Sequence, residues 1–297
     1  MYLEKIQSPE DVKKLDVEQL KVLAGEMRQA LIQKLSVHGG HVGPNLGMVE
    51  ATIAMHYVFD SPKDKMVFDV SHQSYCHKML TGRADAFLDE AKYDDVSGYS
   101  EPSESAHDFF CIGHTSTSVS LACGLAKARD LADENYNVIA VIGDGSLSGG
   151  EALEGLDFAK ELNGNLIVVV NDNEMSIAEN HGGLYENLKL LRDTKGQAEC
   201  NIFRAMGLNY VFVEDGNDLT QLIDVFKRVK DSKAPVAVHI HTLKGKGYTL
   251  AEENKESWHW HMPFDIETGK TKGNYDGGED YGTLTADYLL QKMKEDA

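Results

Sequence analysis

The chain has 297 residues, enough for one large α/β domain or two small ones, and it is long enough to bury a sizeable core. Its formal net charge of −19 argues against a nucleic-acid partner, because phosphate backbones are bound by clustered Lys and Arg. The four cysteines show no C-x-x-C spacing, the start has no apolar signal core and no run reaches membrane-spanning length. We therefore expect a cytoplasmic protein with reduced thiols that does not enter a membrane.

The first third of the chain predicts helices around a glycine-rich loop. Residues 1–16 predict a short polar arm, and Asp16 is expected to cap an amphipathic helix. The apolar side chains of that helix recur at the spacing of one buried face: Leu20, Leu23, Met27, Ala30, Leu31 and Leu35. Next come a glycine-rich loop (39–47), a helix (Met48–Tyr57), a short strand (Met66–Val70) and an irregular stretch (82–112) that could cover a site.

The rest of the chain alternates strands and helices. A helix rich in small residues (Ser116 to about Leu131) precedes two β-branched runs, 138–143 and 166–171, joined by one helix. Later in the chain we expect a strand (Tyr210–Val213), a helix (Leu219–Lys230) and a second strand (Val236–Thr242). A glycine-rich acidic linker (269–280) and a last amphipathic helix (Leu284–Met293) follow. This rhythm predicts an α/β fold, a doubly wound parallel sheet with helices on both faces. We expect one domain over residues 1–268, with residues 269–297 as linker and C-terminal helix.

Two buried runs end abruptly in polar residues. One run ends in Gly143-Asp144-Gly145 and the other in Asn171-Asp172-Asn173. Asp144 and Asn173 are 29 positions apart, the size of a strand–helix–strand unit, which places both on one rim of a parallel sheet. A carboxylate beside an amide carbonyl suits Mg²⁺, which keeps positions open for phosphate oxygens. The helix near Ser148 adds a positive dipole end, so the residues alone indicate a Mg²⁺–diphosphate cradle.

A dinucleotide-binding turn is the first alternative for the same glycines. The nicotinamide fingerprint requires G-x-G-x-x-G and an acidic residue at the end of the next strand. Here the third glycine, Gly149, comes one position too late, and the next strand ends in Asn171-Asp172-Asn173. The spacing therefore favours the metal–diphosphate interpretation.

Several separated motifs occur in the order of a known family. From about Leu20 to its end, the chain resembles the amino-terminal half of the 1-deoxy-D-xylulose-5-phosphate synthase family, within the transketolase superfamily. The resemblance implies the diphosphate domain of the thiamine diphosphate-binding fold. Its motifs are Gly143-Asp144-Gly145 with Asn171-Asp172-Asn173, Gly39-Gly40-His41 with Leu46-Gly47 and Glu50, Ser71-His72-Gln73-Ser74-Tyr75, Gly113-His114-Thr115-Ser116-Thr117-Ser118, and Lys244-Gly245-Lys246-Gly247-Tyr248.

The resemblance assigns roles by position. It implies that Mg²⁺ takes Asp144, Asn173 and the backbone carbonyl of Met175, whose thioether is too soft to be the ligand. Asp172 is expected to fix the loop. The residues expected to bind thiamine diphosphate are His72, Gly113, His114, Thr115, Ser116, Gly145, Ser146, Asn173 and Tyr248.

Histidine is a natural proton carrier near neutral pH, and the resemblance implies catalytic roles for His41 and His259. The pairs His239/His241 and His259/His261 could suggest zinc, but a zinc site needs three or four convergent ligands and no cysteine pattern supports one. His38, His56, His77, His107 and His181 are expected to be structural or on the surface.

Three further sets of residues keep two interpretations open. Glu50 either lies on a solvated helix face or fills the acidic position of the family, without a catalytic role. Lys244 and Lys246 either meet phosphate or extend into water. Trp258 and Trp260 flank His259, and packing is the simpler account of both.

One catalytic residue of the superfamily, a glutamate, has no counterpart in the part of the family that this chain resembles. In the superfamily, a glutamate of a second, pyrimidine-binding domain acts on the cofactor, and the chain ends where that domain is expected to start. We therefore expect a separate subunit carrying the pyrimidine-binding and C-terminal domains, in a dimer or heterotetramer.

The resemblance implies a thiamine diphosphate- and Mg²⁺-dependent two-carbon transferase that joins pyruvate and glyceraldehyde 3-phosphate. The alternatives are the amino-terminal subunit of a split transketolase acting on sugar phosphates, and a non-catalytic cofactor-binding subunit. Two departures bear on this choice. The segment between Met175 and Phe203 is shorter than in single-chain synthases, and Glu101 and Pro102 replace basic residues of the family.

Overall fold

A computed structural model describes residues 1–162, 164–273 and 280–296. The predicted linker therefore lies partly outside the described residues, at 274–279. Within the described ranges, no helix combines the length and the apolar composition needed to cross a bilayer. The predicted division at residue 268 stays a prediction.

The elements alternate as the sequence predicts, with several additional short helices. The first half holds α1 (Pro9–Val12), α2 (Val17–His38), α3 (Val42–Gly47), α4 (Val49–Val58), β1 (Lys65–Phe68), α5 (Tyr75–Lys78), α6 (Asp85–Leu88) and α7 (Ser118–Leu131). The second half holds β2 (Val138–Gly143), α8 (Asp144–Leu147), α9 (Gly150–Ala159), β3 (Ile167–Asp172), α10 (Gly183–Asp193), α11 (Ile202–Ala205), β4 (Asn209–Val213), α12 (Leu219–Val229), β5 (Val236–His241), α13 (Thr249–Glu253) and α14 (Tyr281–Glu295).

The sheet is parallel throughout, with the strand order β1-β2-β3-β5-β4 in the described residues. Its central strands β2 and β3 pair so that Gly143 lies opposite Asn171. Both are followed by polar residues, and the carboxyl ends of parallel strands face one edge of the sheet. The register therefore brings Asp144 and Asn173 to the same rim, as predicted.

Alternating residues of the strands belong to two separate hydrophobic cores, one on each face of the sheet. On one face, Phe68, Val141 and Val169 pack with the apolar sides of α2, α4 and α12. On the other face, Ala140 and Val168 pack with α7, α9 and α10. Both faces are thus covered by helices, which confirms the doubly wound α/β sheet.

The capping predicted for the long first helix is confirmed. The Asp16 carboxylate accepts from the Gln19 amide at 2.9 Å, and the Gln19 side chain accepts from the Asp16 amide at 2.9 Å. This reciprocal pair satisfies two donors that a helix start otherwise leaves without partners.

The prediction of a polar arm over residues 1–16 is wrong. Leu3, Ile6 and Val12 are buried in the core beneath α2. The amides of Tyr2 and Leu3 donate to the Glu26 carboxylate at 2.7 and 2.8 Å. Apolar residues scattered among charges hid this docking, because the segment is too short to show a period.

Truncation of Leu3 tests this docking. Because the Leu3 side chain is fully buried, we expect Leu3→Ala to lower the free energy of unfolding by about 2–4 kcal/mol. Met1 is 52% exposed and provides the matched control, since Met1→Ala should change stability by less than about 0.5 kcal/mol. Equal denaturant midpoints for the two variants in urea unfolding would contradict the docked N-terminus.

Two predicted loops contain helix instead. The glycine-rich segment 39–47 turns at Gly39 and Gly40, which have φ of 78° and 137°, and then forms α3. The stretch 82–112 contains α6 and a 3₁₀-helix (Glu90–Asp95), and buries Phe87 and Asp108. His77 Nε2 lies 3.1 Å from Asp108 Oδ1 and Lys78 Nζ donates to Glu104, so buried residues of α5 hold this stretch in place.

The last predicted helix is confirmed as α14, which has no buried residue. Its exposed apolar side chains are Tyr281, Leu284, Tyr288, Leu289, Leu290 and Met293.

Candidate active site

A cavity of about 280 Å³ opens at the carboxyl ends of β2 and β3. It brings together most of the predicted site residues, which come from six separate parts of the chain. Its lining includes His41, His72, Thr115, Asp144, Gly145, Ser146, Asn173, Met175 and His259, together with Pro44, Val70, Gln73, Asn171, Ser176, Ile177 and Lys244.

A larger groove of about 1250 Å³ lies beyond the segment that follows β3. Met175 lines both spaces, but the groove is bordered mainly by charged side chains of α10 and of residues 252–256. It reaches neither Asp144 nor the cavity histidines, so volume alone would point to the wrong place. We assign the site to the smaller cavity, where polar groups converge.

Asp144 is the buried carboxylate of the cavity. Its Oδ1 accepts from the Gly145 amide and its Oδ2 from the Asn180 amide side chain, both at 2.9 Å. Burial, and secondarily the nearby charge of Asp172, raises the pKa of Asp144 well above its usual value. A carboxylate that is costly to ionise in the free protein is suited to a cation that would restore its charged form.

Asn173 and Met175 lie at the end of the neighbouring strand. The Met175 amide donates to Asn173 Oδ1 at 3.3 Å, which curls the backbone around the amide side chain. Glu174 between them has a φ of 68°. The carboxylate of Asp144, the amide oxygen of Asn173 and a backbone carbonyl are all hard oxygen donors, so the donor set fits Mg²⁺.

Asp172 holds this loop from below. Its Oδ1 accepts from the Glu174 amide at 3.1 Å, and its Oδ2 lies 2.8 Å from His239 Nε2 and accepts from Arg192. Although burial opposes ionisation, His239 and Arg192 lower the pKa of Asp172 to about 2. His239 is thus occupied by Asp172 and Tyr210, and His241 lies 3.1 Å from Glu174, so the two do not share a ligand.

Three histidines of the cavity lining lie together. The ring centroids of His41 and His72 are 4.9 Å apart, those of His72 and His259 are 5.3 Å apart, and those of His41 and His259 are 5.7 Å apart. Burial lowers the pKa of His41 and His259 to about 4 and that of His72 well below its usual value. All three imidazoles are therefore neutral at pH 7, and each can accept one proton or donate one.

Two of these rings carry buried nitrogen atoms without partners. Nδ1 of His72 and Nδ1 of His259 have no hydrogen bond within the described part of the chain. Buried polar atoms are usually paired, so these two indicate that a polar ligand belongs beside them.

The backbone explains why the histidines converge. Gly40 and His261 exchange two backbone hydrogen bonds at 2.9 Å, which fastens the His41 loop to the His259 segment. Asn45, fully buried, donates to the carbonyls of both His41 and His72, at 2.8 and 2.7 Å. Asn45 lies within the glycine-rich motif, but its amide gave no sequence signal beyond that motif.

Lys244 is the one lysine among the described residues that line the cavity. It is 1% exposed and its Nζ donates to the Ser176 carbonyl at 2.7 Å. Burial lowers its pKa to about 8, although Asp144 opposes this effect. Of the two interpretations left open by the sequence, extension into water is wrong for Lys244, because its ammonium group faces the histidines and Asp144.

Two loops approach each other closely beside the cavity, next to Thr115 and Ser146 of its lining. Ser116 Oγ donates to the Ser146 carbonyl at 2.7 Å, and its amide donates to Asp69 at 2.9 Å. Ser116 has a φ of 74°, and Val70 and Ser71, which follow β1, have φ of 56° and 68°. A Cβ on Gly149 would lie 1.9 Å from Ser116 Oγ, so only glycine fits there.

Four predicted cofactor contacts lie outside the cavity lining: Ser116, whose contacts are given above, and Gly113, His114 and Tyr248. Gly113 and His114 are exposed, and the His114 ring lies 2.9 Å from the Thr115 carbonyl. The Tyr248 hydroxyl donates to the Ile266 carbonyl at 2.9 Å, and its ring packs edge-on against Trp258. This aromatic cluster supports the segment that carries His259, as the packing interpretation of Trp258 predicted, whereas Trp260 is 49% exposed.

The solvated interpretation of Glu50 is wrong. Glu50 is 6% exposed and forms an ion pair with Arg28 at 2.5 Å. A buried charge needs such a partner, which the isolated helix pattern could not reveal.

Comparison with known proteins identifies relatives along the whole chain. Residues 3–200 and 189–242 match the amino-terminal family described as 1-deoxy-D-xylulose-5-phosphate synthase. A protein of that name from Caldanaerobacter subterraneus subsp. tengcongensis is 42% identical over 330 aligned positions, covering 99% of this chain and 53% of the relative. One from Pelotomaculum thermopropionicum is 44% identical over 303 positions, covering 90% and 48%.

Solved structures of transketolases share the fold. The enzyme from Campylobacter jejuni superposes with a TM-score of 0.65 at 19% identity, covering 82% of this chain and 40% of that one. The enzyme from Leishmania mexicana gives 0.63 at 19% identity, covering 93% and 45%. The chain spans about half the length of the relatives it matches.

Proposed function

The chain belongs to the 1-deoxy-D-xylulose-5-phosphate synthase family, and from this premise we propose that it binds the Mg²⁺–diphosphate end of thiamine diphosphate as part of a two-carbon transferase. The observation that carries the proposal is the convergence in one cavity of oxygen donors and neutral histidines. Asp144, Asn173 and Met175 provide the oxygen donors, and His41, His72 and His259 provide the imidazoles. The proposed substrates are pyruvate and glyceraldehyde 3-phosphate, as the names of the relatives suggest.

The residues divide the work between anchoring and proton transfer. Asp144 Oδ, Asn173 Oδ1 and the Met175 carbonyl would hold Mg²⁺, and backbone amides of Gly145 and Ser146 would meet the diphosphate. When bound, thiamine diphosphate supplies a thiazolium carbanion that attacks a carbonyl carbon. Neutral His41 and His259 can give or take a proton at that carbonyl oxygen.

Lys244 is proposed as a further diphosphate contact that the sequence left undecided. It is the only ammonium group lining the cavity within the described residues, and its one hydrogen bond goes to a backbone carbonyl rather than a carboxylate. An ammonium group desolvated in this way gains most from a doubly charged ligand.

The cavity also supports the proposal of a partner subunit. Ile177 lines the cavity and is 59% exposed, and the ring of Tyr99, which is 40% exposed, lies 6.0 Å from the His41 ring. We propose that a chain carrying the pyrimidine-binding and C-terminal domains covers this exposed apolar surface and supplies the catalytic glutamate, in a dimer or heterotetramer.

The decisive experiment measures donor and acceptor chemistry in the presence of the partner. The chain would be mixed with a polypeptide that carries the pyrimidine-binding and C-terminal domains, together with thiamine diphosphate, Mg²⁺ and labelled pyruvate. We expect ¹⁴CO₂ release that requires both chains and increases with glyceraldehyde 3-phosphate.

A split transketolase is the second candidate, favoured by Glu101 where the family carries basic residues. In that case the mixture would transfer a ketol unit from a ketose phosphate and release no CO₂ from pyruvate. Turnover by the chain alone would contradict the partner proposal.

Lys244 gives the site a pH dependence. Its pKa of about 8 lies below that of a free lysine, so the ammonium form declines as pH rises through 8. We expect the affinity for magnesium pyrophosphate to fall by up to about tenfold per pH unit above 8, whereas the histidines stay neutral from pH 6.5 to 9.

Isothermal titration calorimetry at several pH values would measure this effect. Lys244→Met should bind more weakly below pH 8 and show a flat profile. Lys246→Met is the matched control and should retain the wild-type profile. A flat wild-type profile would exclude Lys244 from the anion site.

A further inference from the structure

A partly buried polar network contacts the backbone of residues 243–247, the Lys244 loop. Asn217 is its centre. The Asn217 Oδ1 atom accepts from the Leu243 amide at 2.8 Å, while Nδ2 donates to Glu50 Oε2 at 3.2 Å and to the Gly47 carbonyl at 3.1 Å. One amide side chain thus joins the residue before Lys244 to α3 and α4.

Arg28 on α2 holds the other end of the same loop. Its Nη2 donates to Glu50 Oε2 at 2.5 Å and its Nε donates to the Lys246 carbonyl at 2.9 Å. A Cβ on Gly247 would lie 2.8 Å from Arg28 Cδ, so the loop backbone packs directly on the arginine stem. Arg28 and Glu50 side chains are only 14% and 8% exposed.

The network contacts the backbone on both sides of Lys244 and never touches its side chain. Leu243 is fixed by Asn217, and Lys246 is fixed by Arg28, while the Gly245 amide donates to the Gly43 carbonyl at 3.1 Å. The Lys244 stem then runs along Gly43, where a Cβ would lie 3.2 Å from its Cγ. From there the side chain reaches the cavity, where the ammonium group donates to the Ser176 carbonyl at 2.7 Å.

We infer that Arg28, Glu50 and Asn217 are positioning residues that set Lys244 for anion binding in the cavity. This inference rests on the proposed function, because it assumes that the cavity receives a diphosphate. A buried ion pair adds little stability, because the cost of desolvating both charges offsets their attraction. Positioning of the Lys244 loop therefore explains the burial of Arg28 and Glu50 better than stability does.

The test is a double-mutant cycle on magnesium thiamine diphosphate binding, measured by calorimetry on the full chain. Asn217→Ala should weaken binding about five- to tenfold in the wild-type background and less than about twofold in the Lys244→Ala background, because coupled residues lose additivity. Lys244→Ala alone should weaken binding by more than tenfold, roughly the loss of one charged hydrogen bond. A purely structural role would give equal losses in both backgrounds.

Asn187→Ala is the matched control. Asn187 also bridges backbone groups, donating to the Cys200 carbonyl at 2.9 Å and accepting from the Ile202 amide at 3.1 Å, but it lies outside the cavity lining. It should lower the melting temperature much as Asn217→Ala does, without changing affinity in either background. Arg28→Lys gives a second variant if Asn217→Ala folds poorly, because one ammonium group cannot serve both Glu50 and the Lys246 carbonyl in the geometry of the guanidinium fork.

The outcomes separate the two proposals. If the wild-type chain binds no magnesium thiamine diphosphate, the proposed function fails and this inference fails with it. If the wild type binds, but Lys244→Ala has no effect or the cycle is additive, only the inference is overturned.

Discussion

Replacing Asp144 with Asn is expected to weaken Mg²⁺-dependent binding of thiamine diphosphate by more than about 100-fold, since even outer-shell partners of a metal are worth 10–100-fold. Asn keeps the shape of the side chain and removes the charge that a hard cation requires. The measurement is calorimetric titration with and without Mg²⁺. Asp157, an exposed acid on α9, gives the control, and Asp157→Asn should bind as the wild type does.

The same substitution should act in the opposite direction on stability. The pKa of Asp144 is raised in the folded protein by burial, so ionisation above its unfolded pKa penalises the folded state. Between that value and neutral pH the wild type therefore loses stability, and the neutral Asn escapes the penalty. We expect metal-free Asp144→Asn to melt above the wild type at pH 7. A variant that melts lower and still binds the cofactor would refute the assignment of Asp144 as ligand.

The second large effect is expected at Gly149. A methyl group there would lie 1.9 Å from Ser116 Oγ and 2.5 Å from its Cβ, and Ser116 is fastened on its other side to Ser146 and Asp69. Neither loop can shift without displacing Thr115 or Ser146, which line the cavity. We expect Gly149→Ala to lower the free energy of unfolding by about 3 kcal/mol and to abolish cofactor binding.

The chain offers a neighbouring control and a rescue for this prediction. Gly150 has nothing within 4 Å of the same added atom, so Gly150→Ala should fold and bind normally. Ser116→Gly removes the clashing side chain and suits a φ of 74°, so the double variant Gly149→Ala/Ser116→Gly should recover much of the stability. Thermal unfolding followed by circular dichroism gives the comparison. Equal losses in Gly149→Ala and Gly150→Ala would refute the steric argument.

The position of Asp144 and Asn173 at one edge of the sheet could be predicted from the sequence, because it depends on local patterns. Two β-branched runs separated by one helix are enough to place Asp144 and Asn173 side by side, and the register of Gly143 with Asn171 confirms it. The meeting of His41, His72 and His259 could be predicted only through the family resemblance. No periodicity links three histidines that far apart in the chain.

The remaining features depend on tertiary contacts that a linear pattern does not contain. Lys244 and Glu50 are charged residues in polar surroundings, and such residues are usually solvated. Their burial follows from Arg28 and Asn217, which are remote in sequence. The docking of Leu3 likewise depends on Glu26, and the position of Tyr248 on the carbonyl of Ile266.

Four residues other than glycine with a left-handed backbone either line the cavity or adjoin residues that line it: Val70, Ser71, Ser116 and Glu174. Each such residue stores conformational strain of about 1–3 kcal/mol, and the strain is largest at Val70, because its side chain is β-branched. Glycine or asparagine would relax these positions. Directed evolution that selects for heat resistance alone is therefore expected to replace these residues early. It should change the shape of the cavity well before it destabilises the sheet.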